Sequence, residues 1–227
     1  MGYSASFDLL LISLIFLIPL IAQIKVSGNY KKYLKVKSSK ELSGFEVARK
    51  ILDKNGLQDI HIVETTGTLS DHYDPTRKVV RLSHDVFHGT SISSISIAAH
   101  ECGHAIQDKE NYTFMRIRSL IFPIVNIATT FSYILIFIGV LLSAFDLIMT
   151  GIAFTGCGLI FQLVTLPVEF DASKRAKEQV KTLNIAVSEE NDGVNKVLNA
   201  AAMTYVAGVL ASILQILRLL YLYNDRD

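Results

Sequence analysis

The 227-residue chain contains no tryptophan and only two cysteines, Cys102 and Cys157. Two cysteines cannot build a disulfide framework, and without a CxxC pair a cysteine-based zinc motif is also excluded. Neither sign of charge predominates, because the chain has 22 Lys and Arg residues and 21 Asp and Glu residues. Bulk charge therefore gives no argument for a nucleic-acid partner. Apolar residues are abundant instead: half of the chain is hydrophobic and 19% is charged, which indicates a membrane protein.

Four stretches without charged residues, apart from one flanking arginine, account for the apolar excess. About 20 helical residues cross the ~30 Å hydrocarbon layer, so each stretch predicts a transmembrane helix. The fourth is the weakest prediction because Arg218 falls in its last turns. We expect this arginine to extend toward the membrane interface, and a helix lying along the membrane plane is the alternative. The stretches are residues 9–24, 119–145, 147–168 and 197–217.

Basic residues cluster after the first stretch, before the second and after the third. The positive-inside rule then places residues 25–118 and 169–196 in the cytosol. The apolar helices on either side of them are expected to lie in the lipid bilayer. Five segments follow from this topology. They are transmembrane helix 1 at 1–24, a cytosolic segment at 25–118, a transmembrane hairpin at 119–168, a cytosolic helix at 169–196, and transmembrane helix 4 with a tail at 197–227.

The cytosolic segment is predicted to form a small α+β layer. The spacing of Ser43 and Glu46 is that of a capping box and predicts a helix to about residue 54. Residues 59–64 alternate as a strand does, and 78–82 predict a second strand, either an edge for an extended substrate or a core strand. Residues 65–76 are rich in turn formers, and a longer helix is expected from residue 90 or 91 to about 109.

The longer helix contains an HExxH motif, His100 to His104. Residues four apart lie one turn above each other, so both imidazoles can bind one Zn²⁺ from the same helix face. Glu101 lies about 100° around the helix and can take the proton of a water whose pKa zinc lowers toward ~7. Cys102 falls on the far side and is expected to be a buried apolar residue. Gly103 costs about 1 kcal/mol relative to alanine inside a helix, so a close neighbour is expected there. A pair of surface histidines is the alternative.

Two histidines leave zinc short of a protein ligand. The second and third apolar stretches form a hairpin, so Arg118 and Glu169 must emerge on the same membrane face. Glu169 is therefore the expected third ligand and Asp171 the alternative, with a catalytic water in the fourth position. Pro167 suits a first helical turn, so both acids are expected early in a helix. Simple helix N-terminal acids are the other explanation for them.

A second histidine pair, His84 and His88, has the same spacing with Asp85 in place of glutamate. Aspartate is one methylene shorter, and Gly89 breaks the segment after barely two turns. We therefore predict a short turn with a solvated histidine pair at this position.

A peptidase also needs a donor for the negative charge that develops on the substrate carbonyl. His72, in the loop before the second strand, is expected to supply it. Tyr73 and Arg175 are the other candidates, and a solvated turn residue is the alternative reading of His72.

Three blocks of the chain resemble the YugP-type neutral zinc metallopeptidases, which are small integral-membrane proteins. The resemblance covers nearly the whole chain and extends, more distantly, to the HtpX and CAAX-prenyl-protease group of membrane gluzincins. The blocks are SDHYDPTRKVVRLS (70–83), AAHECGHAIQ (98–107) and LPVEFDASKRA (166–176).

The resemblance implies that His100, His104 and Glu169 are zinc ligands and that Glu101 is the general base. In the distant group an aspartate four residues after the ligand glutamate supports a zinc histidine. Ser173 stands at that position here. Either Ser173 or Asp171 supplies this hydrogen bond, or the surroundings of the ligands differ.

The sequence thus predicts a mainly α-helical membrane protein, with four transmembrane helices and a small cytosolic α+β, zincin-like layer carrying the HExxH helix. We expect a multi-pass zinc endopeptidase of the cell membrane. Its active site is expected to face the cytoplasm and to act on proteins or peptides, chiefly membrane proteins. A non-catalytic zinc-binding scaffold is the alternative. A transporter is disfavoured, because the spans contain almost no ionisable residue besides Arg218.

Overall fold

A computed structural model describes residues 5–224, so the predicted chain ends at 1–4 and 225–227 lie outside the described residues. The described part is mainly helical and also contains a three-stranded sheet. A 3₁₀ turn at Ser188–Glu190 precedes the last helix. The helices are α1 (Ala5–Leu34), α2 (Gly44–Lys54), α3 (His84–Phe87), α4 (Ile92–Lys109), α5 (Thr113–Leu141), α6 (Phe145–Thr182) and α7 (Asn191–Asn224). The strands are β1 (His61–Thr65), β2 (His72–Asp74) and β3 (Val79–Ser83).

Four helices, α1, α5, α6 and α7, are long and apolar enough to cross a membrane by length and composition. α1, α6 and α7 contain the predicted stretches 9–24, 147–168 and 197–217. The stretch 119–145 extends past α5, because α5 ends at Leu141 and α6 begins at Phe145. Large apolar side chains on the four helices are exposed, such as Leu120 on α5 at 76%. Helices with apolar residues on every side are stable where lipid, not water, surrounds them.

The chain divides into two compact units. The first contains the described residues up to Gln23, the segment Arg116–Leu166 and the residues from Thr204 onward. The second contains Ile24–Met115 and Pro167–Met203, and therefore all three strands and the HExxH helix α4.

In the second unit, α2 begins where the sequence predicts it. The Ser43 hydroxyl accepts from the Glu46 amide at 3.2 Å, and the Glu46 carboxylate accepts from the Ser43 amide at 2.8 Å. This reciprocal cap satisfies two amide groups that a helix start leaves without partners. The helix then buries an apolar face, namely Val47, Ala48, Ile51 and Leu52.

The sheet has the order β1-β3-β2, with β1 parallel and β2 antiparallel to β3. Of the two readings of residues 78–82, the edge strand is therefore wrong and the core strand is confirmed. β3 is the central strand, its backbone pairs on both sides, and Val80 and Leu82 are fully buried. β2 lies inside the predicted loop 65–76, and its three residues are too few to show strand alternation.

Helix α6 differs from the sequence prediction at Pro167. We expected a helix to begin there, but α6 runs without interruption through the proline for 38 residues. Proline removes one hydrogen bond of the helix, and the bonds on either side keep it continuous. Glu169 therefore lies in a helix interior, so the helix dipole at an N-terminus does not explain its presence.

Arg218 in α7 makes an ion pair that the sequence analysis missed. Within the first unit, its Nε lies 2.7 Å from Oδ1 of Asp8 and its Nη2 lies 3.2 Å from Oδ2. Asp8 in α1 is 6% exposed. The guanidinium is therefore held by a carboxylate in a bidentate pair, where we had expected it to extend to the interface alone.

Candidate metal centre

Helix α4 positions the HExxH residues on a buried helix. Ser91 caps its start, accepting from the Ser94 amide at 3.0 Å. Glu101 and His104 are buried and His100 is nearly so. The two imidazole rings stand one turn apart with their centroids separated by 4.8 Å. The alternative of a surface histidine pair is therefore wrong for these residues.

Glu169 of α6 brings a carboxylate to the two histidines. Its Oε2 lies 3.3 Å from Nε2 of His100 and 3.6 Å from Nε2 of His104, and its side chain is 3% exposed. All three ligand atoms lie within 4.8 Å of one another, in one of two such groups among the described residues. Asp171, the alternative third ligand, does not belong to either group.

The opposite nitrogen of each imidazole is held by a neighbouring side chain. Nδ1 of His100 lies 3.3 Å from the Ser173 hydroxyl, and Nδ1 of His104 lies 3.0 Å from Oε1 of Gln107. Nε2 of Gln107 donates to Val168 O and to Asp171 Oδ2, at 2.8 Å each. The amide oxygen of Gln107 must therefore accept from Nδ1–H of His104. In the neutral imidazole this leaves the lone pair on Nε2, the nitrogen that faces Glu169.

Asp171 connects this arrangement to Arg175 and Glu110. Oδ2 of Asp171 accepts from Nε of Arg175 at 2.6 Å, and Nη1 of Arg175 donates to Glu110 at 2.6 Å. Ser173 thus contacts a candidate ligand directly, whereas Asp171 acts through Gln107. The sequence analysis missed Gln107. The signal that could have found it is a glutamine on the buried face of a predicted helix, since a buried amide requires partners.

Two further sequence predictions concern the residues between the histidines. A Cβ on Gly103 would lie 2.6 Å from the backbone oxygen of Ala172 in α6, so the expected close neighbour is present. Cys102 is fully buried on the other side of α4, where its thiol faces Ala48 O at 3.6 Å. Its predicted role as a small buried residue is confirmed.

Burial and neighbouring charges shift the pKa values of the centre in opposite directions. Burial raises the pKa of Glu101, and the neighbouring histidines offset this only in part. Burial by itself lowers the pKa of His104, but the carboxylates of Glu169 and Glu101 outweigh this effect and raise it. A cation placed among the three ligand atoms would relieve the repulsion between the two carboxylates.

The other candidate site residues have different surroundings. His72 begins β2, is exposed, and its Nδ1 donates to Ser70 O at 2.8 Å. It does not belong to the group of three ligand atoms, and its role as a catalytic donor stays a prediction. The hydroxyl of Tyr73 donates to Asp108 Oδ2 at 2.7 Å. Arg175 is held by Asp171 and Glu110, as described above, so both of these alternatives already have other partners.

The donor set fits zinc. Two imidazole nitrogens and one carboxylate oxygen are the ligands of many catalytic zinc sites, which leave a fourth position for water. The hydrogen bonds to both Nδ1 atoms are the supporting contacts that metal-binding histidines normally have. His100, His104 and Glu169 together therefore form a candidate Zn²⁺ site.

Comparison with known proteins agrees with this chemistry. Residues 8–224 match the family described as "Putative neutral zinc metallopeptidase", and the chain belongs to this family of zinc proteins. It is 49% identical over 207 residues to the "Putative membrane protease YugP" of Bacillus subtilis (strain 168), covering 91% of this chain and 92% of that protein. No solved structure matches. The family resemblance is thus confirmed, and together with the four apolar helices it supports a membrane protein.

Proposed function

We propose that the protein is a membrane-embedded, zinc-dependent endopeptidase. His100, His104 and Glu169 hold the metal, and Glu101 is the general base. The observation that carries this proposal is the position of the Glu169 carboxylate, whose Oε2 faces Nε2 of both histidines at 3.3 and 3.6 Å. Glu169 lies 65 positions after His104 in the chain, so its meeting with the two histidines in a buried site is not a product of local sequence.

The residues of the site have separate roles in the proposed hydrolysis of a peptide bond. A zinc ion bound here would polarise the substrate carbonyl and lower the pKa of a water molecule to about 7. Glu101 takes a proton from the attacking water and delivers it to the nitrogen of the leaving amine. The burial that raises the pKa of Glu101 favours this shuttle, because the carboxyl group then holds the proton between the two steps. His72 is proposed to donate to the oxygen of the former carbonyl.

The proposed site lies near the cytosolic face of the cell membrane. Glu169 directly follows the third apolar stretch, and basic residues follow it in turn, Lys174 and Arg175 among them. By the positive-inside rule this end of α6 faces the cytoplasm. We therefore propose that the substrates are segments of membrane proteins close to that surface.

Glu101→Gln tests the proposal. The variant should keep stoichiometric zinc, because residue 101 is not a ligand, and should lose about 10²- to 10⁴-fold in cleavage of a casein-type substrate. Glu178→Gln is the matched control, since Glu178 is exposed on α6 and its change should leave both zinc and cleavage unaltered. In the same assay, His72→Ala should lower kcat with zinc content unchanged.

The competing function is a zinc-binding scaffold that recruits partners without cleaving them. It predicts that the wild-type protein, purified with stoichiometric zinc, shows no chelator-sensitive cleavage of any tested protein. That result, or a Glu101→Gln variant as active as the wild type, would overturn the peptidase proposal.

A further inference from the structure

A second group of three metal-ligating side chains lies on the surface of the second unit. Nδ1 of His84 is 2.6 Å from Oε1 of Glu64, and Nε2 of His88 is 3.0 Å from Oε2 of the same carboxylate. The imidazole centroids are 4.9 Å apart. The three ligand atoms lie within 4.8 Å of one another, as in the HExxH group. The predicted solvated histidine pair is therefore exposed, but it shares a carboxylate that the sequence analysis did not consider.

The fold brings these residues together from two elements. β1 and β3 run parallel with Glu64 opposite Leu82, so Glu64 stands beside the end of β3. The chain passes from β3 directly into α3, which begins at His84. His88 follows four positions later, so both imidazoles lie on the same side of this single turn. The parallel register of β1 and β3 therefore places the carboxylate next to the pair.

The donor chemistry suits a divalent transition-metal ion. The Glu64 side chain is exposed, and an exposed glutamate is ionised at neutral pH. Ligand atoms at about 2.0–2.1 Å from a tetrahedral zinc ion stand about 3.3 Å apart. The observed separations of 2.6 and 3.0 Å, to the two different oxygens of Glu64, are shorter than this value. All three side chains are exposed and can therefore rotate to surround an ion. Imidazole and carboxylate together favour zinc, and also accept copper or nickel.

We propose that Glu64, His84 and His88 form a second, solvent-accessible metal site that binds one divalent zinc-class ion. The inference does not depend on the peptidase function, since no residue of the HExxH centre belongs to this group. A bound ion joins β1 to α3. α3 in turn contacts the HExxH helix, since the Ser94 hydroxyl of α4 donates to Asp85 O of α3 at 3.0 Å.

The experiment counts zinc in the full-length protein, purified in detergent with any histidine tag removed. After metal stripping and dialysis against a slight excess of zinc, elemental analysis should find two ions per chain in the wild type. Glu64→Gln, His84→Ala and His88→Ala should each bind one. His61→Ala is the matched control, because it removes an exposed imidazole from the same strand as Glu64, and it should bind two.

A variant without the two HExxH histidines provides a second background, in which zinc binding at the surface site is measured alone. His100→Ala combined with His104→Ala removes both histidine ligands of the HExxH centre. This double variant should keep one zinc ion, which the addition of Glu64→Gln should abolish. A weak chelator should remove the surface ion from the wild type first. The proposal is overturned if the wild type binds a single ion, or if Glu64→Gln binds as many ions as the wild type in either background.

Discussion

Replacing Gly103 by alanine tests whether the close approach of α4 and α6 sets the position of Glu169. The added Cβ would lie 2.6 Å from Ala172 O, while ordinary van der Waals contact begins at 3.4 Å, so about 0.8 Å must be made up. The atom in the way is backbone inside a helix and cannot rotate aside as a side chain can. The helices must therefore separate.

The separation of α4 and α6 would displace Glu169, the candidate third ligand. Ala172 lies three residues after Glu169, on the same side of α6. A shift of this size is several times the tolerance of about ±0.2 Å on metal–ligand distances. Overpacking costs about 1–3 kcal/mol, and the ion must supply this energy to draw the carboxylate back. At 1.4 kcal/mol for each factor of ten, we expect zinc affinity to fall about 5- to 150-fold.

Zinc affinity is measured by competition with a chromophoric chelator, alongside the melting temperature of the metal-free protein. Gly28→Ala in α1 is the matched control, because a Cβ there meets nothing within 4 Å. That variant should gain up to about 1 kcal/mol from helix propensity and bind zinc as the wild type does. If Gly103→Ala also binds zinc with wild-type affinity and is stabilised like the control, the reasoning from close packing is refuted.

Three further predictions follow from the contacts described above. Gln107→Leu removes the hydrogen bond to His104 with little change in volume and should weaken zinc binding about 10- to 100-fold in the same competition assay. A mutant that bound zinc normally would show that His104 needs no such support. Asp8→Asn and Arg218→Ala should each lower the melting temperature in detergent by about 10 °C, since each removes the bidentate ion pair between these two side chains. The double variant that exchanges the two residues, Asp8→Arg with Arg218→Asp, should restore part of this loss. If either single change leaves the melting temperature unaltered, the stabilising role of the ion pair is contradicted. The pKa of Glu46 is lowered by its hydrogen bonds to Ser43. Its stabilising effect is therefore complete above the ordinary value of 4.5 and is lost as the pH falls further, so Glu46→Gln should flatten the fall in unfolding free energy on acidification.

Local signals predicted α2 and α4 well. The capping box of α2 and the spacing of the HExxH motif depend on residues three or four positions apart, so the sequence displays them directly. The same holds for the length of the apolar stretches. β2 was missed because its pairing with β3, and not the pattern of its own three residues, makes it a strand.

The metal centre needed a different kind of argument. Glu169 was expected from the hairpin topology of the second and third apolar stretches and from the family resemblance of the block around it, residues 166–176. Gln107 was missed because its acceptors, on Val168 and Asp171, lie more than 60 residues away. Pro167 misled the prediction because a proline signals a helix start locally, and the sequence does not show that the preceding turns continue through it.

The candidate zinc ligands are synthesised at different times, because Glu169 lies far beyond His100 and His104 in the chain. Glu169 is translated 65 residues after His104, which takes a ribosome about 3 to 13 s at about 5–20 residues per second. During this interval the nascent chain contains His100, Glu101 and His104 but not Glu169. The candidate zinc site, and with it the proposed peptidase centre, is therefore complete only when this part of α6 has been made.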